Sequence, residues 1–197
     1  MNVRKSIAGL LVCGLAVWTA AQEPQPERGQ PQQKISAADR QFVQRAAQSN
    51  LREVRLGNVA MEKAPTEQVK RLAQTMAADH TKANEQLQRI AADLNIEFPR
   101  ELDRQHQQTI ERMQKLGGSE FEQEYLELMH RDHQDDVRAF QRYTKEGQVS
   151  TLKTFAQQQL PVLQHHLSSV QEVRQQRAGG DRPRPGERPQ QRPDQER

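Results

Sequence analysis

The chain has 197 residues with one cysteine, one tryptophan and two tyrosines, and 29 Lys and Arg stand against 26 Asp and Glu. A lone cysteine excludes a disulfide framework and a thiolate metal cluster within one chain, and so weak a net charge, +3, without aromatics interleaved among basic residues argues against nucleic-acid binding. The chain is nonetheless long enough for one domain with its own core.

Arg4 and Lys5 precede an apolar stretch over residues 7–17 and the small residues Thr19-Ala20-Ala21. That is the layout of a secretory signal over residues 1–21, with cleavage expected after Ala21. The apolar stretch is shorter than the roughly 20 residues that a membrane-spanning helix needs, and no later segment approaches that length. Cys13 falls inside the signal behind Val12, where a lipoprotein would carry a small residue, so the mature chain is expected to lack any thiol. Removing Arg4 and Lys5 lowers the formal charge from +3 to +1. The expected location is periplasmic or secreted.

Residues 22–35 are rich in Gln, Pro and Glu, and residues 178–197 are Pro- and Arg-rich after a Gly-Gly pair. Neither composition buries enough apolar surface to offset ordering entropy, so a disordered linker and a disordered tail are expected on either side of a bundle spanning 36–177. Between them every periodic stretch reads as helix. Ser36 with Asp39 three residues later starts the first helix, which runs to Lys63; Pro65 and Thr66 open the second, which runs to Asn95. A shorter amphipathic piece over 100–116 ends at Gly117-Gly118. Ser119 with Glu122 has the spacing of a capping box for the next long helix, which stops at Gly147, and Ser150 or a near neighbour opens the last, to Gln176.

Four long helices with one long connection between the second and third predict an all-α, ferritin-like four-helix bundle with a short crossover helix; a plain up-down bundle is the alternative. Advancing about 100° per residue places one ionisable side chain on the apolar face of each long helix: Glu53, His80, His133 and His166. Asp136 joins them on the third long helix, and Asp79 and Asp132 lie at the margins as orienting partners. At about 1.5 Å per residue all four sit near mid-height of an antiparallel bundle, in one layer. Such a layer, without cysteine, suits Zn, Fe, Cu or Mn bound by Glu53, His80, His133, His166 and Asp136. Glu127 and His130 share the Glu-x-x-His spacing of di-iron bundles, but Glu127 falls on the polar face, His130 at its edge and His165 outside. Pro161, about one turn before His166, is expected to bend the last helix.

LREVRLGNVAMEKA around Glu53, VKRLAQTMAADHTKANEQLQRIA around Asp79 and His80, FEQEYLELMHRDHQDDVRAF around Asp132 and His133, and LPVLQHHLSSV around His166 together resemble the bacterial domain-of-unknown-function family 4142. The resemblance runs from Ser36 to Gln176. It implies an exported ferritin-like bundle of the cell envelope, of a kind often labelled outer membrane protein, and it implies no established activity. Ferritins use several bridging carboxylates and paired Glu-x-x-His units, which this chain lacks, and no Ser-His-Asp order or phosphate-binding loop marks it as an enzyme. The expectation is therefore a metal-binding envelope protein. The alternative is a structural, interaction or stress-related envelope protein with a metal-free layer, meeting a partner through its exposed faces or C-terminal tail, with at most peripheral outer-membrane association.

Overall fold

The computed structural model describes residues 34–180; the expected signal and most of both expected disordered flanks lie outside them. Five helices follow in chain order, α1 (Ala37–Lys63), α2 (Glu67–Asp93), α3 (Arg104–Lys115), α4 (Gly118–Glu146) and α5 (Ser150–Gly180), and there is no strand among the described residues.

Three of the five starts are fixed by a side chain of the kind that the sequence suggests. Asp39 N–H donates to Ser36 Oγ at 3.1 Å while Ser36 N–H donates to Asp39 Oδ2 at 2.9 Å, a complete capping box. Thr66 accepts from Val69 N–H at the head of α2. The crossover helix begins four residues later than expected because Asp103, not a residue near Arg100, is its cap, accepting from His106 N–H at 2.9 Å. Helix α4 starts differently. No side chain caps it, its N-cap is Gly117, and Gly118 enters at φ +56°, so Ser119 is already inside the helix. The expected Ser119–Glu122 capping box does not form, because Glu122 is fully buried and takes stronger donors elsewhere: Thr66 N–H at 3.1 Å, Thr66 Oγ at 2.8 Å and Arg177 Nη1 at 2.6 Å. At the far end of α2, Asn95 adopts φ 53° and Ile96 N–H reaches back to Ala91 O at 2.8 Å, a left-handed helix stop that asparagine tolerates. Helix α5 continues through Pro161 and runs four residues beyond Gln176.

The register of the cross-helix contacts gives the topology. Along α1 and α4, Asp39 meets Tyr143 while Arg52 meets Asp132, so the two helices are antiparallel. Along α2 and α5, Gln68 meets Gln176 and Gln86 meets Gln158, again antiparallel. Short turns make α1/α2 and α4/α5 antiparallel pairs, so α2 and α4 run the same way and their connection must climb the whole bundle. It climbs along α1: Gln48 Nε2 donates to Glu101 O at 2.9 Å, and Lys63 Nζ, near the other end, donates to Leu116 O at 3.0 Å. This is the crossover connectivity of ferritin-like bundles, not the up-down alternative.

Helices α1 and α2 approach closely at Gly57, where an added Cβ would lie 2.9 Å from Ala77 Cβ and 3.0 Å from Ala73 O. The apolar core falls into two clusters, one around Phe42, Leu87, Phe140 and Phe155, the other around Leu56, Met76, Phe121 and Tyr125. Between them lies the polar layer.

Candidate metal centre

Glu53, His80, His133 and His166 come from four different helices and meet in that layer, each no more than 3% exposed. Their positions follow from helical phase: each occupies a slot where the stripe of its helix would otherwise carry Leu or Ala. The three imidazole rings are steeply inclined to one another, with centroids 5.3–5.5 Å apart.

The outer nitrogen of every ring points at an oxygen acceptor. His80 Nδ1 is 2.9 Å from Asn50 Oδ1, His133 Nδ1 is 2.9 Å from Met129 O, and His166 Nε2 is 3.1 Å from Asp79 Oδ2. An oxygen that only accepts demands a proton on the nitrogen facing it, and this assigns the tautomer of each neutral ring. The inner nitrogens, His80 Nε2, His133 Nε2 and His166 Nδ1, then carry lone pairs, and they converge: His133 Nε2 is 3.4 Å from His80 Nε2 and 3.3 Å from His166 Nδ1, with all three within 4.8 Å of one another. Two lone pairs at such a distance have no proton to share. Nitrogen ligands at 2.0–2.1 Å from one tetrahedral ion lie about 3.3–3.4 Å apart, so two of the three edges are of the length found around such an ion.

Charge follows the same pattern. Burial holds His80 well below the ordinary histidine range, reinforced by His133 and His166 beside it. Burial likewise carries His133 down to about 3, and lowers His166 although Asp79 pulls the other way. The rings are neutral at pH 7 and free to ligate. Glu53 lies against them, Oε2 at 3.4 Å from His80 Nε2 and Oε1 at 3.6 Å from His133 Nδ1, yet neither oxygen receives a hydrogen bond from a protein group. Burial first, and the Asp136 carboxylate second, raise Glu53 well above the usual carboxylate range. A buried carboxylate without a donor costs several kcal/mol as an anion, so it needs a proton or a cation.

The other expected residues take separate places. Asp79 orients His166. Asp136 accepts from Ser49 Oγ at 2.6 Å, and burial pushes its carboxyl up to about 6. Asp132 pairs with Arg52 at 2.9 Å. Glu127 is held by Arg174 at the surface, His130 lies between Gln134 and Gln171, and His165 is exposed. Two orienting groups have no role in the sequence reading. Asn50 lies on the apolar stripe one turn before Glu53, which is a readable signal, whereas the Met129 carbonyl belongs to the backbone and leaves none.

Fold and layer together define a class: an all-α crossover bundle whose core is divided at mid-height by a histidine-carboxylate layer. The chain belongs to the family of the domain of unknown function DUF4142, whose model matches residues 24–173. The fold is similar to that of a DUF305 fragment from Deinococcus radiodurans, with TM-score 0.62, 16% identity, and coverage of 70% of this chain and 95% of that one. It is similar also to a DUF305 protein from Streptomyces coelicolor described as a candidate secreted protein, with TM-score 0.62, 15% identity, and coverage of 73% and 93%. At such identity the likeness concerns the fold alone. No curated protein matches the sequence. No described helix is long and apolar enough to cross a membrane.

Proposed function

We propose that this chain is an exported metal-binding protein of the cell envelope, in which His80 Nε2, His133 Nε2, His166 Nδ1 and the Glu53 carboxylate hold one divalent transition-metal ion of the Zn, Fe, Cu or Mn group. One observation carries the reading: three imidazoles have their outer nitrogens committed to oxygen acceptors and their inner lone pairs aimed at one another, beside a buried carboxylate with no donor. A cation removes both conflicts at once, and the orienting bonds to Asn50, Met129 O and Asp79 are those that ligating histidines ordinarily make. Nitrogen and carboxylate ligands suit borderline ions better than Ca or Mg, which prefer all-oxygen shells. Asp136, which accepts from Ser49 Oγ, is left outside this set, because three histidines and Glu53 already supply four ligands. Export rests on the signal-like first 21 residues.

Elemental analysis of the protein purified from the envelope fraction, before and after chelation and reloading, tests the reading. About one equivalent of metal, lost when His133 is changed to Ala, is the expected result. Less than about a tenth of an equivalent after reloading at neutral pH would leave the competing reading, a metal-free layer that fixes helix register. That competitor expects His80→Leu to be as stable as the parent or more so, since replacing a buried polar cluster by packed apolar side chains is often stabilising.

A further inference from the structure

The layer has a narrow side and an open one. Next to His80 and His166 lies a cavity of about 10 Å³, room for one water at most, walled by Phe140, Phe155, Val162 and Leu163 and bordered by the partly exposed Asp79 and Gln159. On the opposite flank, under the crossover, α1, α3 and α4 enclose a groove of about 490 Å³ lined by Gln48, Ser49, Arg52, His106, Asp132 and Asp136, among others. Its inner wall belongs to the turns that carry the layer: Arg52 adjoins Glu53 in sequence, Asp132 adjoins His133, and Asp136 follows His133 by one turn. Asp136 is 8% exposed, at the groove's floor, and its charge acts on the Glu53 carboxyl behind it. The Arg52–Asp132 ion pair, at 2.9 Å with both side chains less than 15% exposed, spans the same wall. Asp103 and Asp135 add two more carboxylates to the lining, so Arg45 and Arg52 face four acids.

We propose that this groove is the loading route of the metal ion, with Asp136 as the last carboxylate that the ion meets before Glu53 and the Arg52–Asp132 pair as the latch that it must pass. The proposal rests on the metal-binding reading above. An acid-rich, partly desolvated groove concentrates cations and speeds their capture, and the effect weakens as salt screens it. A residue of the route that does not act on the ligands themselves affects the barrier and not the end state, so it alters uptake and release by the same factor.

The test uses the full chain, freed of metal, mixed rapidly with Co(II) and followed by the visible absorption of the bound ion; release is followed with excess EDTA. Gln48→Lys, which places a cation on the groove wall, is expected to slow uptake and release alike by about tenfold and to leave Kd unchanged. Gln48→Glu at the same position is expected to speed both, a reversal that a folding defect cannot mimic. Asp136→Asn is expected to slow uptake, whereas Asp79→Asn, on the narrow side, changes Kd through His166 and leaves the uptake rate within about twofold. Uptake by both Gln48 variants and Asp136→Asn within twofold of the parent, with Co(II) binding intact, overturns the route alone. A parent protein that binds no Co(II) overturns the route together with the metal reading.

Discussion

Asp39, Glu122 and Glu53 are equally buried, at 1%, 0% and 1% exposure, but the bundle treats the two near its ends differently from the one in its middle. Asp39 accepts from Ser36 N–H, from Ser36 Oγ at 2.6 Å and from Tyr143 OH at 2.6 Å. Burial pulls its carboxyl up, yet the hydrogen bonds of Ser36 and Tyr143 outweigh this and leave it below its ordinary value. Glu122 takes Thr66 and Arg177 and so ties the heads of α2 and α4 to the tail of α5. Glu53, given no donor, is driven the other way. The first two are clamps that stabilise the fold as it stands, whereas the third belongs to a site whose charge balance needs something more.

Metal addition tests that distinction most strongly. A saturating ion at about a thousand times its Kd stabilises the native state by about 4 kcal/mol, read as a shift in urea midpoint with unchanged slope, and His133→Ala abolishes the shift. No shift with any of Zn, Fe, Cu or Mn would reduce Glu53 to a third structural carboxylate. Next in size is Glu122→Ala, which strands Thr66 N–H and the Arg177 cation and is expected to cost about 3 kcal/mol in metal-free and metal-loaded protein alike. Asp39→Ala removes the capping box and the Tyr143 partner and should cost about 2 kcal/mol. Because the Asp39 pKa is lowered on folding, this contribution is complete above pH 3.8 and disappears as pH falls through the lowered value. Acid unfolding of the Asp39→Ala variant should therefore be less steep below pH 3.8 than that of the parent.

The same contrast explains what could be read from the sequence. The helices, their turns and the inward phase of Glu53, His80, His133 and His166 depend on local period and on residues such as Ser36, Pro65 and Gly147, all visible in a linear chain. So was the family, from the segments around those four residues. Glu122 was misread as half of a capping box because its true partners, Thr66 and Arg177, are 56 and 55 residues away. Helical phase turns Asp136 inward, but nothing local reveals Ser49, 87 residues distant, as its hydrogen-bond donor. Helical phase says that a side chain points inward; which ring nitrogen faces the centre depends on acceptors such as Asn50 Oδ1 and Met129 O, which only the assembled bundle supplies.

The smallest expected effect separates Glu53 from the clamps by sign. Glu53→Gln should stabilise the metal-free protein, because the amide removes the buried ionisable group and offers the His80 lone pair a donor, while the same change in a clamp destabilises. The pH dependence follows from the direction of the shift. The folded Glu53 pKa lies above its unfolded value near 4.5, so the folded state holds the proton more tightly, and its contribution to stability, complete below pH 4.5, is lost as pH rises through the folded value. Glutamine has no such loss. The gain from Glu53→Gln should therefore be small near pH 4.5 and reach about 1–2 kcal/mol at pH 8, measured by urea unfolding of chelator-treated protein. The three histidines oppose this trend in parent and variant alike: their pKa values are lowered on folding, so their contribution is complete above about pH 6.5 and falls away in acid, for His133 down to about pH 3. Comparing parent with variant cancels the histidine slope and leaves Glu53 alone, and a gain that shrinks from pH 5 to pH 8 would mean that Glu53 is ionised and partnered in the metal-free protein. With metal bound the sign inverts, since Glu53→Gln then removes an anionic ligand, and a variant more stable than the parent without metal and less stable with it is what a cation in this layer requires.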